Sequence, residues 1–269
     1  MKTKFMIVFV LLFVIISCTT RSNKIGTGTN PVVIEILTPI PLNIVANHIN
    51  NVAKFIETES GLKTAIYAPK KNIEYIQALS QSSPKADVAI LNDVGYLFAN
   101  DEFGATAELI ALRSGGGSNF ISSYCSAIIS INLNSIDELN GHSIAFSDEY
   151  STAGYLIPLY ALKEKKIKPS KTIFAGGYVE ALKNLLNGDA DAVPIYTSCE
   201  SMNNDLDTRN FLAGEYPDIF TRTKTIYKSN PIPNEPVVFR KNIPSDIRDK
   251  IVKALTKCPE DQMCRDSLY

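Results

Sequence analysis

Apolar and polar positions follow three rhythms along this chain. The first is an unbroken apolar run from Phe5 to Ile16, preceded by Lys2 and Lys4 and followed by Ser17 and Cys18. A charged start, an apolar stretch of this length and a small residue at its end define an export leader, and the run is shorter than the roughly 20 residues a membrane-spanning helix needs. The second rhythm begins at Val32. Short β-branched and aliphatic runs at Val32 to Leu37, Thr64 to Tyr67 and Asp87 to Leu91 read as strands. The third rhythm fills the gaps between them. Val45, Ile49, Val52 and Ile56 recur at helical spacing up to Gly61, a suitable C-cap, and a shorter helix is expected around Ile73 to Leu79. This βαβαβ opening implies a parallel sheet covered on both faces.

After the Gly115-Gly116-Gly117 loop the alternation resumes. Strands are expected at Cys125 to Ile131, Ser143 to Phe146, Thr172 to Ala175 and Ala190 to Tyr196, with helices from about Gly154 to Lys165 and from Tyr178 to Leu186. Two α/β units of similar size result. The expected organisation is a leader over 1–17, a flexible polar tether over 18–30, a first lobe over 31–123, a second lobe over 124–229, and a return to the first lobe with a C-terminal helix over 230–269. Open α/β sheets bind ligands beyond the carboxyl ends of their strands, so function is expected in the loops after Leu37, Tyr67, Leu91, Phe146, Ala175 and Tyr196.

Composition narrows the classes. With 45% hydrophobic residues, 20% charged residues and a net charge of −1, nothing points to nucleic acid or an anionic membrane surface. Cys258 and Cys264 flank a tight loop and are expected to form a disulfide in an oxidising compartment. Cys125 and Cys199 are taken as small buried residues. Two histidines in the whole chain, His48 and His142, leave a His-based metal site without ligands, and no metal or other cofactor is expected.

The informative constellation is Ser147-Asp-Glu-Tyr-Ser151-Thr152-Ala153-Gly154, which follows a strand and opens a helix. Two hydroxyls and several unpaired backbone N–H groups meet there at the positive end of a helix dipole, which suits an anion. Capping of the helix by Ser151 or Thr152 explains the same residues. Gly176-Gly177-Tyr178 and Asn92-Asp93-Val94-Gly95-Tyr96 supply two further helix starts, one from each unit.

The end of the leader, Ile15-Ile16-Ser17-Cys18, resembles the bacterial lipobox, which implies that Cys18 is acylated and becomes the first residue of the mature protein. The body of the chain carries a second resemblance. Asp87 to Leu91 with Gly95-Tyr96, Ser151-Thr-Ala-Gly-Tyr-Leu-Ile-Pro158, Gly188 to Ala192 and Ser229-Asn-Pro-Ile-Pro-Asn-Glu-Pro236 resemble, in order and spacing, the phosphate/phosphite/phosphonate substrate-binding proteins of ABC transporters. The resemblance implies the type II periplasmic-binding-protein fold, two α/β lobes with central mixed sheets joined by two crossing hinge strands. It also implies a ligand role for Ser151 and Thr152 through their hydroxyls, Ala153 through its backbone, and Tyr96 from the first lobe. Four departures follow. Ala153 stands where the family has a serine, Tyr178 where a histidine is common, Asn72 where an aromatic is usual, and Tyr196 where an acidic residue would neutralise an aminoalkyl ammonium. An aminoalkylphosphonate is therefore not the expected ligand, because a buried ammonium without a carboxylate is costly.

No catalytic pattern competes with this reading. No G-x-S-x-G elbow is present, neither Cys125 nor Cys199 has a histidine close by in sequence, and Asp148 and Glu149 are adjacent and would diverge. The expected function is a monomeric extracytoplasmic lipoprotein that binds a small oxyanion between its lobes and serves ABC permease subunits, touching the membrane through its lipid alone. A sensor or surface lipoprotein reusing the fold is the alternative.

Overall fold

The computed structural model describes residues 24–36, 42–69, 72–80, 82–114, 120–199 and 206–264. The leader, Cys18 and the glycine run at 115–117 lie outside them. The first unit contains β1 (Val32–Ile36), α1 (Leu42–Ser60), β2 (Thr64–Tyr67), α2 (Asn72–Gln77), β3 (Val88–Ile90), α3 (Asp93–Phe103) and β4 (Thr106–Ile110). A short hairpin of β5 (Arg113–Ser114) and β6 (Phe120–Ile121) leads to β7 (Ser123–Ser130). The second unit continues with β8 (Ser143–Phe146), α4 (Ile157–Glu164), β9 (Lys171–Phe174), α5 (Tyr178–Asn187), β10 (Ala192–Thr197), α6 (Ile219–Arg222) and β11 (Lys224–Lys228). The chain then returns through β12 (Ile232–Pro233) and β13 (Pro236–Phe239) to α7 (Ser245–Leu255).

Each unit is a sheet between helices. In the first, β1 lies between β2 and β3 and is parallel to both. Alternate residues of β1 face opposite sides. Val32 and Ile34 pack with Val52, Ile56, Phe239 and Ile251, whereas Val33 packs against Tyr75, Leu79, Leu91 and Val238. The three strands of the βαβαβ opening are parallel, as the alternation predicts, and the sheet as a whole is mixed, as the resemblance implies. The returning strand β13 inserts antiparallel between β3 and β4, giving the order β2-β1-β3-β13-β4. The second sheet runs β11-β7-β10-β8-β9, with β8 parallel to β9 and to β10, and β7 antiparallel to both its neighbours.

Two segments connect the sheets, and one buried side chain knits them together. Asn234 is fully buried; its Nδ2 donates to the carbonyls of Ala111 (3.0 Å) and Ile121 (2.8 Å), and its backbone N–H donates to Ser122 (2.9 Å). Beside it, β12 pairs with the start of β7, Ile232 opposite Tyr124.

The structure corrects one expectation and settles one pairing that the sequence left open. Lys24–Asn30, expected to belong to a flexible tether, packs onto the first unit: Lys63 N–H donates to the Gly26 carbonyl at 2.8 Å, and Ile25 joins the β1 core. Cys125 and Cys199, taken from sequence as small buried residues with their pairing left open, form a disulfide, because the β7/β10 register sets Thr197 opposite Cys125 and so delivers Cys199 to the same edge. Cys258 and Cys264 are also bonded, closing the turn after α7 beside Phe55.

Candidate functional site

The loop between β8 and α4 is built around a glycine. Ile144 to Phe146 is buried, and the strand delivers Ser147, also fully buried, to its carboxyl end. The chain turns through Asp148, whose carboxylate accepts the Tyr150 N–H at 2.9 Å, and re-enters helix at Thr152 through a π-helical turn, Thr152–Leu156, continuous with α4. A Cβ on Gly154 would stand 2.0 Å from Ser147 Oγ and 2.8 Å from Ser151 Oγ. Only a residue without a side chain lets both hydroxyls converge there.

Ser151 is the N-cap of this helix. Its Oγ accepts the Gly154 N–H and shares a hydrogen bond with the Tyr178 hydroxyl, both at 2.9 Å. Capping is thus an observed role of Ser151. Thr152 and Ser147 differ from it: both hydroxyls are buried and neither has a hydrogen-bond partner. Such orphans are rare in folded proteins, because an unmade bond leaves the desolvation cost uncompensated. Ala153 is buried, and its carbonyl accepts the Ser126 hydroxyl of β7 at 2.7 Å.

The first lobe and the connecting segments close on this loop. Asn92 caps α3 through Gly95 N–H and donates its Nδ2 to the Tyr150 carbonyl at 3.0 Å, so the start of α3 is pinned to the second lobe. Next to it, Asp93 Oδ2 receives the Tyr124 hydroxyl at 3.4 Å. Thr152 lies beside that same phenol, close enough to favour its ionised form but without hydrogen-bond geometry. Arg113 pairs with Glu235 at 2.5 Å, and its guanidinium lies 5.9 Å from the Tyr124 ring centre. The Tyr178 and Tyr196 rings meet edge to face at 5.1 Å.

Desolvation governs the ionisation of this group. It pushes the Tyr196 phenol up to about 12, against the pull of Arg113, and it raises Tyr124 and Tyr178 as well. It also lifts the Asp93 carboxyl to about 6, with Glu235 adding to the effect. Burial opposes the charge on Arg113, but the ion pair and hydrogen bond to Glu235 prevail and hold it above its ordinary value.

The residues singled out from sequence are therefore brought together in part. Ser151, Thr152, Ala153, Tyr178 and Tyr196 share one neighbourhood. Tyr96 packs against the first-lobe core of Tyr75, Leu79 and Leu91, and the side chain of Asn72 lies outside the described residues. Ser147, Asp93, Arg113, Tyr124 and Glu235 were not anticipated as site residues. Ser147 had a readable signal, a serine that directly continues a buried apolar strand. Arg113 had none, and although Glu235 lies in the Ser229 to Pro236 stretch that carries the resemblance, nothing local joins the two, since 122 positions separate them. The absence of a carboxylate inferred from Tyr196 is also corrected, because Glu235 and Asp93 both act on this neighbourhood.

Two mixed sheets bridged twice, with hydroxyls and charges of both lobes meeting between them, define a type II periplasmic binding protein. The chain belongs to the family described as ABC transporter, phosphonate, periplasmic substrate-binding protein, which it matches over residues 44–268. The family is a solute-binding component of a transporter and not an enzyme, and it places the chain outside the cytoplasm. Among solved structures, a binding-protein component of an ABC phosphonate transporter from Pseudomonas aeruginosa is 17% identical, covering 88% of this chain and 77% of that one, with a TM-score of 0.66. A Xanthomonas citri protein bound to ATP is 13% identical, covering 88% and 86%, with a TM-score of 0.70. A Prochlorococcus marinus protein in complex with methylphosphonate is 12% identical, covering 87% of each chain, with a TM-score of 0.64. No curated protein matches the chain.

Proposed function

We propose that this protein is the solute receptor of an ABC importer, a lipoprotein acylated at Cys18 that holds a small oxyanion of phosphate, phosphite or phosphonate type where its lobes meet and passes it to the permease. The lobes are residues 31–123 with 230–269, and residues 124–229. The carrying observation is the pair of orphaned, buried hydroxyls of Ser147, which lies against Gly154, and Thr152, which opens the helix that follows. A helix start with hydroxyls in want of an acceptor suits an oxyanion, since each donor gains a charge-assisted bond only when the ligand arrives. Tyr178, bonded to Ser151 and packed edge to face on Tyr196, forms one wall, Tyr124 lies beside it, and Arg113 supplies positive charge from the connecting segment. Tyr96 stands on the first-lobe side.

The test is calorimetric titration of the protein with phosphate, phosphite and methylphosphonate. Ser147→Ala and Thr152→Val should each weaken binding roughly 10- to 100-fold, the value of one charge-assisted hydrogen bond. Neither should lower the melting temperature of the unliganded protein, because neither hydroxyl is bonded there. Undiminished affinity in both variants would place the ligand elsewhere.

A further inference from the structure

Asp93 is an unexpected occupant of an anion-binding neighbourhood. It opens α3, its neighbour Asn92 fastens that helix start to the Tyr150 carbonyl of the second lobe, and its carboxylate reaches the Tyr124 hydroxyl beside which Thr152 lies. One phenol hydroxyl thus separates a carboxylate from an orphaned donor. The charged groups around it are unevenly matched. Glu235, the second carboxylate, has Arg113 as its partner at 2.5 Å. Asp93 takes part in no ion pair among the described residues. On the elements packed around it, α2 brings Glu74 and Tyr75, the second-lobe loop brings Asp148, and β7 brings Tyr124. Of the titratable side chains, Glu235 and Tyr124 are those that act on it.

A carboxylate and a bound dianion at such close quarters repel each other strongly unless one of them keeps a proton. We propose that the site takes its oxyanion together with one proton, shared between the bound oxyanion and the Asp93 carboxylate. It therefore favours oxyanions that bring a proton of their own, hydrogen phosphonates and hydrogen phosphate, over sulfate. The inference rests on the reading that an oxyanion occupies the Ser147 and Thr152 site. The proton balance is explicit. A hydrogen phosphonate donates its P–O–H hydrogen to the Asp93 carboxylate and nothing is drawn from solvent, whereas sulfate has no such hydrogen, so Asp93 must take one proton from solvent as sulfate binds. Burial, with Glu235 adding to it, already lifts the Asp93 carboxyl to about 6, so the free site is ready to hold that proton near neutral pH.

The proposal is read out by titrating the purified protein with methylphosphonate and with sulfate between pH 5 and 8.5, in buffers of different ionisation enthalpy, which counts protons exchanged on binding. Sulfate affinity should fall about tenfold per pH unit above pH 6, roughly 100-fold by pH 8, with close to one proton taken up at pH 7. Methylphosphonate should take up less than half a proton at pH 7, rising toward one as the pH passes its own second ionisation. In Asp93→Asn the uptake should vanish for both anions and sulfate affinity should become level with pH. Level affinity and zero uptake for both anions in the wild-type protein would overturn the proposal while leaving the oxyanion reading intact. An uptake that persists in a folded Asp93→Asn protein would overturn it too. If sulfate fails to bind at any pH, the methylphosphonate uptake decides. If methylphosphonate, sulfate and inorganic phosphate all fail to bind, the oxyanion reading falls and the shared proton with it. Should the variant not fold, the wild-type proton count is decisive by itself.

Discussion

Glu35 offers the sharpest test of the energetics. It sits in β1 opposite Tyr67 on one side and Ala89 on the other, with no exposed surface, and neither carboxyl oxygen has a hydrogen-bond partner. Desolvation raises its carboxyl from 4.5 to about 9, so the native protein holds it neutral. A carboxyl whose native pKa lies above its unfolded value contributes most favourably below the unfolded value. That contribution is lost as pH rises toward the native value, because the unfolded chain gives up its proton and the folded chain does not. Each unit of pH between these limits costs about 1.4 kcal/mol, so at pH 7 the penalty is about 3 kcal/mol. Glu35→Gln removes the titration. The glutamine amide is as unpartnered at pH 5 as at pH 8, so the comparison across pH isolates the proton. Urea unfolding of both proteins should show the stability of the variant relative to wild type rising by about 4 kcal/mol from pH 5 to pH 8. Other ionisable groups are common to both proteins and cancel in the difference. A relative stability that stays constant over that range would mean Glu35 is ionised in the native state, and the reasoning from its burial would be wrong.

Three further outcomes are expected. Gly154→Ala should abolish oxyanion binding in calorimetry, because the new methyl would occupy the place of the Ser147 hydroxyl; wild-type affinity would show that the loop does not hold the ligand. Breaking Cys125–Cys199 with paired serines should cost about 4 kcal/mol in urea unfolding, against about 2 kcal/mol for Cys258–Cys264, because the bridged separations are 74 and 6 residues; equal costs would count against an origin in chain entropy. Cys18→Ser should move the protein from the membrane fraction to the soluble fraction of its host, and recovery of both forms in the membrane would refute anchoring by lipid.

Local patterns made most of the scaffold readable. Ser143 to Phe146 and Thr64 to Tyr67 were placed to the residue, because each is a β-branched or aliphatic run bounded by turns, and α1 ends at Gly61, where φ is +69°. Features depending on distant partners were not readable. Pro236–Phe239 is apolar enough for any buried strand, yet its place between β3 and β4 is decided by pairing across more than a hundred residues. Likewise Cys125 and Cys199 meet through the register of β7 and β10 and through no spacing of their own. At the site, the segment from Ser147 to Gly154 stood out as a helix start, but its sequence could not tell a cap from a donor. The structure divides the two roles, giving the cap to Ser151 and leaving Ser147 and Thr152 unbonded. The charged part of the site was hidden because Asp93, Arg113 and Glu235 come from three separate segments and meet only after the lobes are joined.

The two disulfides join each cysteine to the next along the chain, Cys125 to Cys199 and Cys258 to Cys264. Four cysteines allow three pairings, and this is the one obtained when thiols are joined in the order in which they emerge. A chain threaded outward from its N-terminus presents Cys125 and then Cys199 to an oxidant before either later thiol has crossed, and the second pair then has only itself. Correct oxidation thus requires no reshuffling step, provided that no earlier thiol intercepts Cys125. Cys18 is the one thiol that could do so, and acylation at that position removes it from the competition. On this view a lipid at Cys18 would both anchor the protein and protect the fidelity of its oxidative folding.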